Sequence, residues 1–468
     1  MRLKRGEDIE LDITDYAFGG KGISKLQGEK GNYVVFVLNA IPGQKVLARV
    51  ASSKNNYAEC KLVKILKPSP DEISVPYQPI SGAPYITLPI EKQQEYKKST
   101  ALNLYEHIGN VKNIQDVFDE YIDSPELFHY RNKMEYAFSS IRQDVENDIE
   151  TDDDFALGFK YRGTWWKVEN LDKDSGMFDA EVENKLKNIR AYLKNTGLPA
   201  FHPPKKIGFF RYLVARKSYS KNQLLLSLIT SSENVEAFDV KVFSDYLKSL
   251  FGERLVGFIH TINDDESERE KFQQGPSHTL FGENKIVENL LGLNFEISMG
   301  SFFQTNPKCA EKLYSKAIDY LFEKQPSENG VIMDLFCGTG TIGQLIASKL
   351  PKAKVIGVDI VEDAIENAKE NAKRNNISNV EFYASDVGKF LQEYPQYEGK
   401  IDAIILDPPR AGIAPKTLKK VISLGAKRMV YVSCNPSTQA RDIQTLTSFG
   451  YELKKLSLVD QFPHTAHI

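Results

Sequence analysis

The length of 468 residues exceeds what one hydrophobic core supports, so we expect two or three domains. Four cysteines without regular spacing exclude a disulfide framework. The lack of a leader or a long apolar run leads us to expect a cytoplasmic protein without membrane spans. The net charge of -3 hides a basic start, because residues 1–70 carry 12 Lys and Arg against 7 Asp and Glu. A basic segment on a near-neutral chain indicates nucleic acid as a partner.

Residues 1–66 predict a small β-barrel of the OB type. Glycine and proline turns separate five short predicted strands, at 9–13, 22–26, 33–37, 45–50 and 57–66. Such barrels bind single-stranded nucleic acid through basic and aromatic side chains, here Lys21, Lys25, Tyr33, Phe36 and Lys54. A structural barrel with a solvated basic face explains the pattern equally well.

Residues 67–290 mix helix and strand signals, and we predict a central α+β domain with a helix near 91–109. The acidic run 144–154 lacks the glycine-turn spacing of a calcium loop, so a solvated hairpin tip is expected there rather than a metal site. Basic residues also stand at 130–133 and 209–221, and the sequence does not decide whether they face phosphates or solvent.

From Gly330 onward, strands, loops and helices alternate as in a doubly wound, Rossmann-like α/β domain. A strand at 331–335 leads into Gly338-x-Gly340-x-x-Gly343, the spacing of a nucleotide-binding loop. Acids stand at the ends of four successive strands: Asp334, Asp359, Asp386 and Asp407. A carboxylate at 334 suits a cationic amino acid group better than a pyrophosphate, so the pocket predicts S-adenosylmethionine rather than a dinucleotide.

The tetrapeptide 433–436, Ser-Cys-Asn-Pro, follows a predicted strand and sets the thiol of Cys434 beside the strand that ends in Asp407. Open α/β sheets bind ligands at the carboxyl ends of their strands, so these two side chains predict one active site. A buried cysteine before a proline turn is the structural alternative.

Residues 300–468 resemble the catalytic domain of the RNA uracil-5 methyltransferases, and the basic barrel resembles the TRAM domain of their ribosomal-RNA members. The resemblance rests on five stretches in order, at 300–307, 334–340, 407–412, 433–436 and 460–465. It implies a methyltransferase domain over 291–468 and RNA-binding roles for 1–66 and 67–290. The helix near 91–109 is expected to pack on the catalytic domain.

The resemblance also implies the roles of individual residues. Cys434 would be the nucleophile that adds to uracil C6. The chemistry requires the target base to leave a structured RNA, so we expect base flipping. Phe302 and Phe303 offer a stacking face for that base, and a place in the buried core explains them equally well. The implied substrate is 23S ribosomal RNA rather than transfer RNA, and a monomer without an obligate protein partner is the default. The implied contacts to S-adenosylmethionine come from Gln304, Phe336, Gly338, Gly340, Thr341, Asp359, Asp386 and Asp407.

Two departures from the family stand out. Many members bind an iron–sulfur cluster through four cysteines, but 76–84 and 172–174 have none here, so we expect neither cluster nor metal. Members also carry a glutamate, thought to be the general base, one position beyond Ile468. Either the sequence continues past this point, or Asp407, His464 or a water relay takes the proton.

Other functions stay open at this stage. A uridine-5 methyltransferase of transfer RNA would share every motif. A cytosine-5 RNA methyltransferase would place a cysteine where Arg410 stands, and an amino-group methyltransferase would use Asp-Pro-Pro-Tyr and no thiol. A non-catalytic RNA-binding protein would tolerate the loss of Cys434 or Asp407, which are both present.

Overall fold

The computed structural model describes residues 2–28, 31–145, 147, 149–265, 275–324, 326–327 and 329–468. Within these residues, three main sheets of six, nine and five strands follow one another along the chain, together with two small two-stranded sheets. None of the described helices combines the length and apolar character that a membrane span requires.

The N-terminal sheet has the strand order β1-β5-β6-β4-β3-β2, with an inner face formed by alternate residues. In the fourth strand, Tyr33, Val35 and Val37 are buried, whereas Phe36 and Leu38 face outward and are half-buried. The sequence predicted the other five strands of this sheet but not the short second one. The strands are β1 (Asp8–Asp12), β2 (Asp15–Ala17), β3 (Lys21–Gly28), β4 (Gly31–Leu38), β5 (Lys45–Ser53) and β6 (Tyr57–Lys67).

Two side chains predicted to bind nucleic acid from this sheet are used internally. Tyr33 is 3% exposed, and its hydroxyl donates to the carbonyl oxygens of Lys54 and Tyr57 at 2.9 and 2.8 Å. Lys21 forms an ion pair with Glu59 at 2.6 Å. The prediction is therefore wrong for Tyr33, because the period-two alternation of β4 turns it inward.

The connection to the central sheet contains α1 (Ile90–His107), α2 (Ile114–Val117) and β7 (Phe118–Ile122). One face of α1 is buried, with Gln93, Lys97, Ala101 and Tyr105 at intervals of four residues. This face packs against the C-terminal part of the chain, where Ala101 and Tyr105 share a buried cluster with Ala440.

The central sheet has nine strands in the order β10-β9-β12-β11-β8-β13-β14-β15-β16. Two helices, α3 (Ala180–Lys194) and α4 (Val240–Phe251), pack on it through a core that contains Leu186 and Phe243. Asp144 pairs with Ile149 across the two ends of the predicted hairpin, while Glu146 and Asp148 of the acidic run lie outside the described residues. The strands are β8 (Lys133–Ser139), β9 (Arg142–Asp144), β10 (Ile149–Thr151), β11 (Ala156–Lys160), β12 (Val168–Asn170), β13 (Phe210–Ser218), β14 (Gln223–Thr230), β15 (Leu255–Ile262) and β16 (Ser277–Gly282).

The C-terminal sheet is parallel, with the order β21-β20-β19-β22-β23. Alternate residues of the central strand enter opposite cores, Ile332 on one face and Met333 and Leu335 on the other, which confirms the doubly wound class. The last strand pairs in parallel with β7. The elements are β17 (Lys285–Leu290), β18 (Leu293–Ser298), α5 (Pro307–Phe322), β19 (Val331–Leu335), α6 (Thr341–Lys349), β20 (Lys354–Asp359), α7 (Glu362–Arg374), β21 (Val380–Ala384), α8 (Val387–Glu393), β22 (Ile401–Leu406), α9 (Pro415–Ser423), β23 (Met429–Tyr431), α10 (Pro436–Ser448) and β24 (Leu456–Val459).

A buried ion pair ties α1 to the C-terminal segment. Lys97 Nζ lies 2.6 Å from Asp460 Oδ1, with the side chains 2% and 1% exposed, and it also donates to the carbonyl oxygen of Phe462 at 2.9 Å. Burial lowers the pKa of Lys97, and the Asp460 carboxylate opposes that shift. Each buried charge needs the other as its counter-charge. The ion pair, with the hydrogen bond to Phe462, therefore holds residues 460–462 against α1.

Replacing Lys97 by methionine should lower the free energy of unfolding by about 3–5 kcal/mol, because the Asp460 carboxylate would stay buried without its counter-charge. Urea unfolding of parent and variant measures the difference. Lys92→Met on the same helix is the matched control, since Lys92 and its partner Glu95 are 41% and 63% exposed, and it should cost no more than about 1 kcal/mol. Equal losses in the two variants would contradict this role of Lys97.

Candidate active site

The carboxyl ends of the five parallel strands meet at one edge, where backbone hydrogen bonds fix them relative to one another. The strand order reverses between β19 and β22, which makes this the switch point at which open α/β sheets bind ligands. The bonds run from Ser385 N to Asp359 O at 2.8 Å, Phe336 N to Val358 O at 2.8 Å, Asp407 N to Leu335 O at 3.3 Å and Val432 N to Leu406 O at 2.8 Å.

The glycine loop after β19 depends on its small residues. Gly340 has a φ of +70°, and a Cβ there would lie 2.4 Å from the Phe382 ring. A Cβ on Gly343 would lie 2.9 Å from a carboxylate oxygen of Asp334. Phe336, at the start of the loop, has the left-handed φ of +64° that few large side chains adopt. The loop is thus held open at the switch point, and Thr341 begins α6 directly behind it with a buried side chain.

Asp334 is a buried carboxylate with unused hydrogen-bonding capacity. Its Oδ2 accepts from Gly343 N at 2.7 Å, while Oδ1 has no hydrogen-bond partner among the residues that the structure describes. Burial raises the pKa of Asp334 to about 7, and the charge of Asp359 adds to the shift. A buried acceptor without a partner is costly, so a cationic ligand group beside the open glycine loop fits here. This agrees with the ammonium group of S-adenosylmethionine.

Asp359 and Asp386 are the next two acids along the edge. The Asp359 carboxylate accepts from Gly338 N and Val361 N, each at 2.9 Å, so it also fixes the glycine loop. Asp386 is exposed and caps α8 by accepting from Lys389 N at 2.9 Å. Each carboxylate oxygen has a second lone pair, so these bonds leave both groups able to accept from a ligand.

Asp407 and Cys434 line the same cavity, of about 920 Å³, together with Gln304 and Gln461. Burial, with the negative charges of Asp334 and Asp359, raises the pKa of Asp407 to about 7. The Cys434 thiol is exposed, unlike those of the other three cysteines. The structural alternative of a buried cysteine is therefore wrong.

The loop of Cys434 is fixed to the neighbouring loop that follows β22. Asn435 Nδ2 donates to the carbonyl oxygen of Arg410 at 2.9 Å, and Asn435 Oδ1 caps α10 by accepting from Ser437 N at 3.2 Å. Ser433 Oγ accepts from Asn435 N at 3.1 Å. The thiol is thus presented from a tight turn at a helix start.

The loop of Gln304 is held from two sides. Asn306 and Gln461 exchange hydrogen bonds between side-chain amides and carbonyl oxygens, at 3.2 and 3.1 Å. Asn132 Nδ2 donates to the carbonyl oxygen of Gln304 at 3.1 Å. Asn132 is 1% exposed, so it positions the site and faces neither phosphate nor solvent.

Arg216 is a site-supporting residue whose place the sequence left open. Its side chain is fully buried, and Nη2 donates to the carbonyl oxygens of Ser301 and Met299 at 2.7 and 3.2 Å. Arg211 is also buried, at 2% exposure, so these two arginines of β13 do not face solvent. The mostly apolar run around Arg216 was the available signal, since a strand buried on both faces must pair its polar groups internally.

The C-terminal histidines lie beside the site. His464 stacks on Phe128 with ring centroids 4.4 Å apart, its Nδ1 lies 3.1 Å from Gln93 Nε2, and burial lowers its pKa to about 4. It does not line the cavity, whereas Ile468 does. Burial also lowers the pKa of His467 to about 4, with Arg410 adding to the shift.

Hydrogen bonds join the segment 76–84 to residues 169–172. Gln78 Nε2 donates to the carbonyl oxygen of Asn170 at 2.7 Å, and Gln78 Oε1 accepts from Asp172 N at 2.9 Å. Ser81 donates to Glu169 Oε1 from both its backbone and its hydroxyl group, at 2.9 and 2.7 Å. The described part of the chain contains no cluster of His, Cys, Asp or Glu arranged to hold a metal ion.

Comparison with known proteins identifies the family. A sequence model of the TRAM domain matches residues 2–63, and one of a methyltransferase domain matches residues 326–460. An uncharacterized RNA methyltransferase of Clostridium tetani is 37% identical over 475 residues, which cover 100% of this chain and 97% of the relative. One of Clostridium acetobutylicum is 37% identical over 471 residues, with the same coverage. The chain belongs to this family of RNA methyltransferases.

The fold of this RNA methyltransferase has a solved counterpart. The crystal structure of Pyrococcus abyssi tRNA (uracil-54, C5)-methyltransferase in complex with S-adenosyl-L-homocysteine is similar over 98% of each chain, with a TM-score of 0.70 and 25% identity. The resemblance to the RNA uracil-5 methyltransferases is thereby confirmed at the level of the family, and S-adenosylmethionine is confirmed as the cofactor.

The affinity for S-adenosylmethionine should fall as the pH is lowered through about 7. Because the folded-state pKa of Asp334 is raised to about 7, its carboxylate is neutralised below that pH, and a cationic ligand group beside it would lose its counter-charge. The loss should approach tenfold per pH unit, as for one titrating group. Isothermal titration calorimetry between about pH 6 and pH 8 measures it.

Asp334→Asn is the control for that titration. The variant should bind weakly at every pH and with a flatter dependence, since the amide cannot ionise. A parent and variant with parallel pH profiles would show that another group governs the affinity.

Proposed function

We propose that this protein transfers a methyl group from S-adenosylmethionine to C5 of a uridine in RNA, with Cys434 as the nucleophile that adds to C6. The observation that carries the proposal is the exposed Cys434 thiol in one cavity with Asp407. Asp407 N in turn donates to Leu335 O at 3.3 Å, at the end of the strand that leads into the glycine loop. A cytosine-5 chemistry is less well supported, because Arg410 stands where that class places its cysteine.

Several side chains and backbone groups of the edge are proposed to hold the cofactor. Asp334 would bind the ammonium group, and Asp359 the ribose hydroxyls. When bound, S-adenosylmethionine supplies an electrophilic sulfonium methyl group. The remaining proposed contacts are Gln304, Phe336, Gly338, Gly340, Thr341, Asp386 and Asp407.

Uracil C5 is a poor nucleophile toward a sulfonium methyl group, and Cys434 would activate it. Its thiolate sulfur would bond to C6, and the ring electrons would move onto O4, so that C5 becomes nucleophilic. C5 would then accept the methyl group as the carbon–sulfur bond of the sulfonium breaks, which would leave S-adenosylhomocysteine as the neutral thioether product. A base then removes the C5 proton, the C5–C6 double bond re-forms and the C6–S bond breaks, which returns the thiolate. Once the base has released its proton to solvent, the whole sequence of steps returns the enzyme to its starting state.

Of the candidates for the group that accepts the C5 proton, which are Asp407, His464 and a water relay, we propose Asp407. It lines the cavity that contains Cys434, and its raised pKa of about 7 lets it both accept and release a proton near neutral pH. His464 is a weaker choice, because it lies outside the cavity and its lowered pKa of about 4 makes it a poor base.

The proposed RNA is 23S ribosomal RNA, because the TRAM domain precedes the catalytic domain in many ribosomal-RNA members. Residues 1–66 and 67–290 are proposed to contact that RNA. The solved relative named above acts on transfer RNA, which makes transfer RNA the second candidate. Mapping 5-methyluridine in both RNAs from cells with and without the protein separates the two.

Replacing Cys434 by alanine should abolish methyl transfer, by at least about 10³-fold, because C5 would lose its activation. Incorporation of labelled methyl groups into total RNA measures the loss. The variant should still bind S-adenosylmethionine like the parent, which controls for folding. Mass spectrometry gives a second test. The parent protein should form a covalent complex with RNA that contains 5-fluorouridine, and the Cys434→Ala variant should form none. Unchanged methyl incorporation in the variant would refute the thiol mechanism.

The two adjacent phenylalanines of the Gln304 loop differ in their surroundings. Phe303 is 5% exposed and packs beside Phe295, whereas Phe302 is 69% exposed next to the site loop. Phe302→Ala should therefore weaken RNA binding about tenfold through lost base stacking, with cofactor affinity unchanged. Phe302→Tyr should restore binding, and the retention of labelled RNA with the protein on a filter measures both variants. A tyrosine variant as weak as alanine would count against stacking.

A further inference from the structure

The hairpin that joins β11 to β12 carries both tryptophans of the chain at its tip. Trp165 is 52% exposed, whereas Trp166 is half-buried and lies edge-on to it at 5.6 Å. Neither residue lines the cavity that contains Cys434. A large exposed indole at a fixed tip is the side chain type that stacks on unpaired bases.

Hydrogen bonds hold the tip in place. Tyr161 N donates to Lys167 O at 2.9 Å, and Thr164 N donates to Tyr161 O at 3.0 Å. Ser139 Oγ donates to the carbonyl oxygen of Trp166 at 2.9 Å, which ties the tip to β8. The fold therefore already holds Trp165 in place, so a ligand that binds there does not have to order the hairpin tip.

The tip also docks on the N-terminal sheet. Lys61 Nζ donates to Gly163 O at 3.1 Å, and a Cβ on Gly163 would lie 3.0 Å from Leu38 Cδ2. Arg162 donates to Asn39 Oδ1 and to Gly19 O, both at 2.7 Å. The hairpin therefore extends the outer face of that sheet.

This outer face combines apolar, aromatic and basic side chains with one acid, Glu59, which stands in register with Phe36 and forms an ion pair with Lys21. Register places Tyr57 beside Val34 and Lys61 beside Leu38 on neighbouring strands. The Phe36 and Tyr57 rings lie 5.9 Å apart. Lys25 faces the same way, next to Val34, and is exposed. Residues 1–70 have five more basic than acidic residues, which favours a polyanion over a protein partner.

We infer that Trp165 and the outer face of β3, β4 and β6 form one surface that binds a single-stranded segment of RNA outside the methyl-transfer cavity. The inference rests on the proposed function, which makes RNA the substrate. Trp165 would stack on a base, and Lys25 and Lys61 would face the phosphates.

Fluorescence tests this surface directly, because the chain has two tryptophans. Trp166→Phe leaves Trp165 as the only indole, and Trp165→Phe is its matched control. The probe is an unstructured oligouridine of about 12 nucleotides, a length within the range that such barrels cover. We expect the probe to quench the Trp166→Phe protein strongly and the Trp165→Phe protein little. Similar quenching of both, or of neither, would overturn the inference.

Affinity for the same probe gives a second readout. Trp165→Ala should weaken binding about tenfold, and Trp165→Phe should recover most of it because the ring is restored. Unchanged cofactor binding shows that the variants are folded. An alanine variant that binds like the parent would overturn the inference, even if the parent methylates RNA. A quenched parent that transfers no methyl group to RNA would refute the proposed function and leave this surface standing.

Discussion

The crowding of carboxylates at the switch point is the constraint on which the rest of the site depends. The parallel register of β19 and β22 sets Asp334 and Asp407 at neighbouring strand ends, and both acquire a pKa of about 7 through burial and the nearby charge of Asp359. Like charges that are buried together oppose ionisation, so this edge favours a cationic ligand. The cofactor's positive charge relieves this, which couples cofactor binding to the ionisation of Asp407, the group proposed to act on the base.

The reactive loops are fixed from outside the catalytic sheet. Tyr130 donates to the carbonyl oxygen of Pro463 at 3.0 Å, Asn132 holds the loop of Gln304, and Arg216 holds Ser301 from β13. The central sheet therefore supports the site structurally, in addition to any contact with RNA. Sites built on loops need such support, because a displacement of about 1 Å lowers catalysis strongly.

The C-terminal strands and the acids at their ends could be predicted because both signals are local in the sequence. Each is a short apolar run with an acidic residue at or near its end. Contacts between distant segments could not be. Lys97 and Asp460 are 363 positions apart, and nothing near Lys97 marks it as buried. The sequence left Arg216 open between phosphate and solvent. The apolar run around it was a hint of burial, but the groups that enclose it follow from the pairing of β13 with β8 and β14. The inward turn of Tyr33 was readable from the alternation of β4, but its aromatic type suggested stacking instead.

The same sheet connects the proposed RNA surface with the reactive cavity. β8 pairs with β11, which leads to Trp165, and also with β13, which carries Arg216. Hydrogen bonds to Gly19 and Asn39 fix the hairpin to the N-terminal sheet. An RNA held at Trp165 would therefore lie at a set distance from Cys434. If one contact is at Trp165 and the other at Cys434, the enzyme selects an RNA in which an unpaired segment lies at the matching distance from the target uridine. Such a protein can recognise one position in a long RNA without reading many bases.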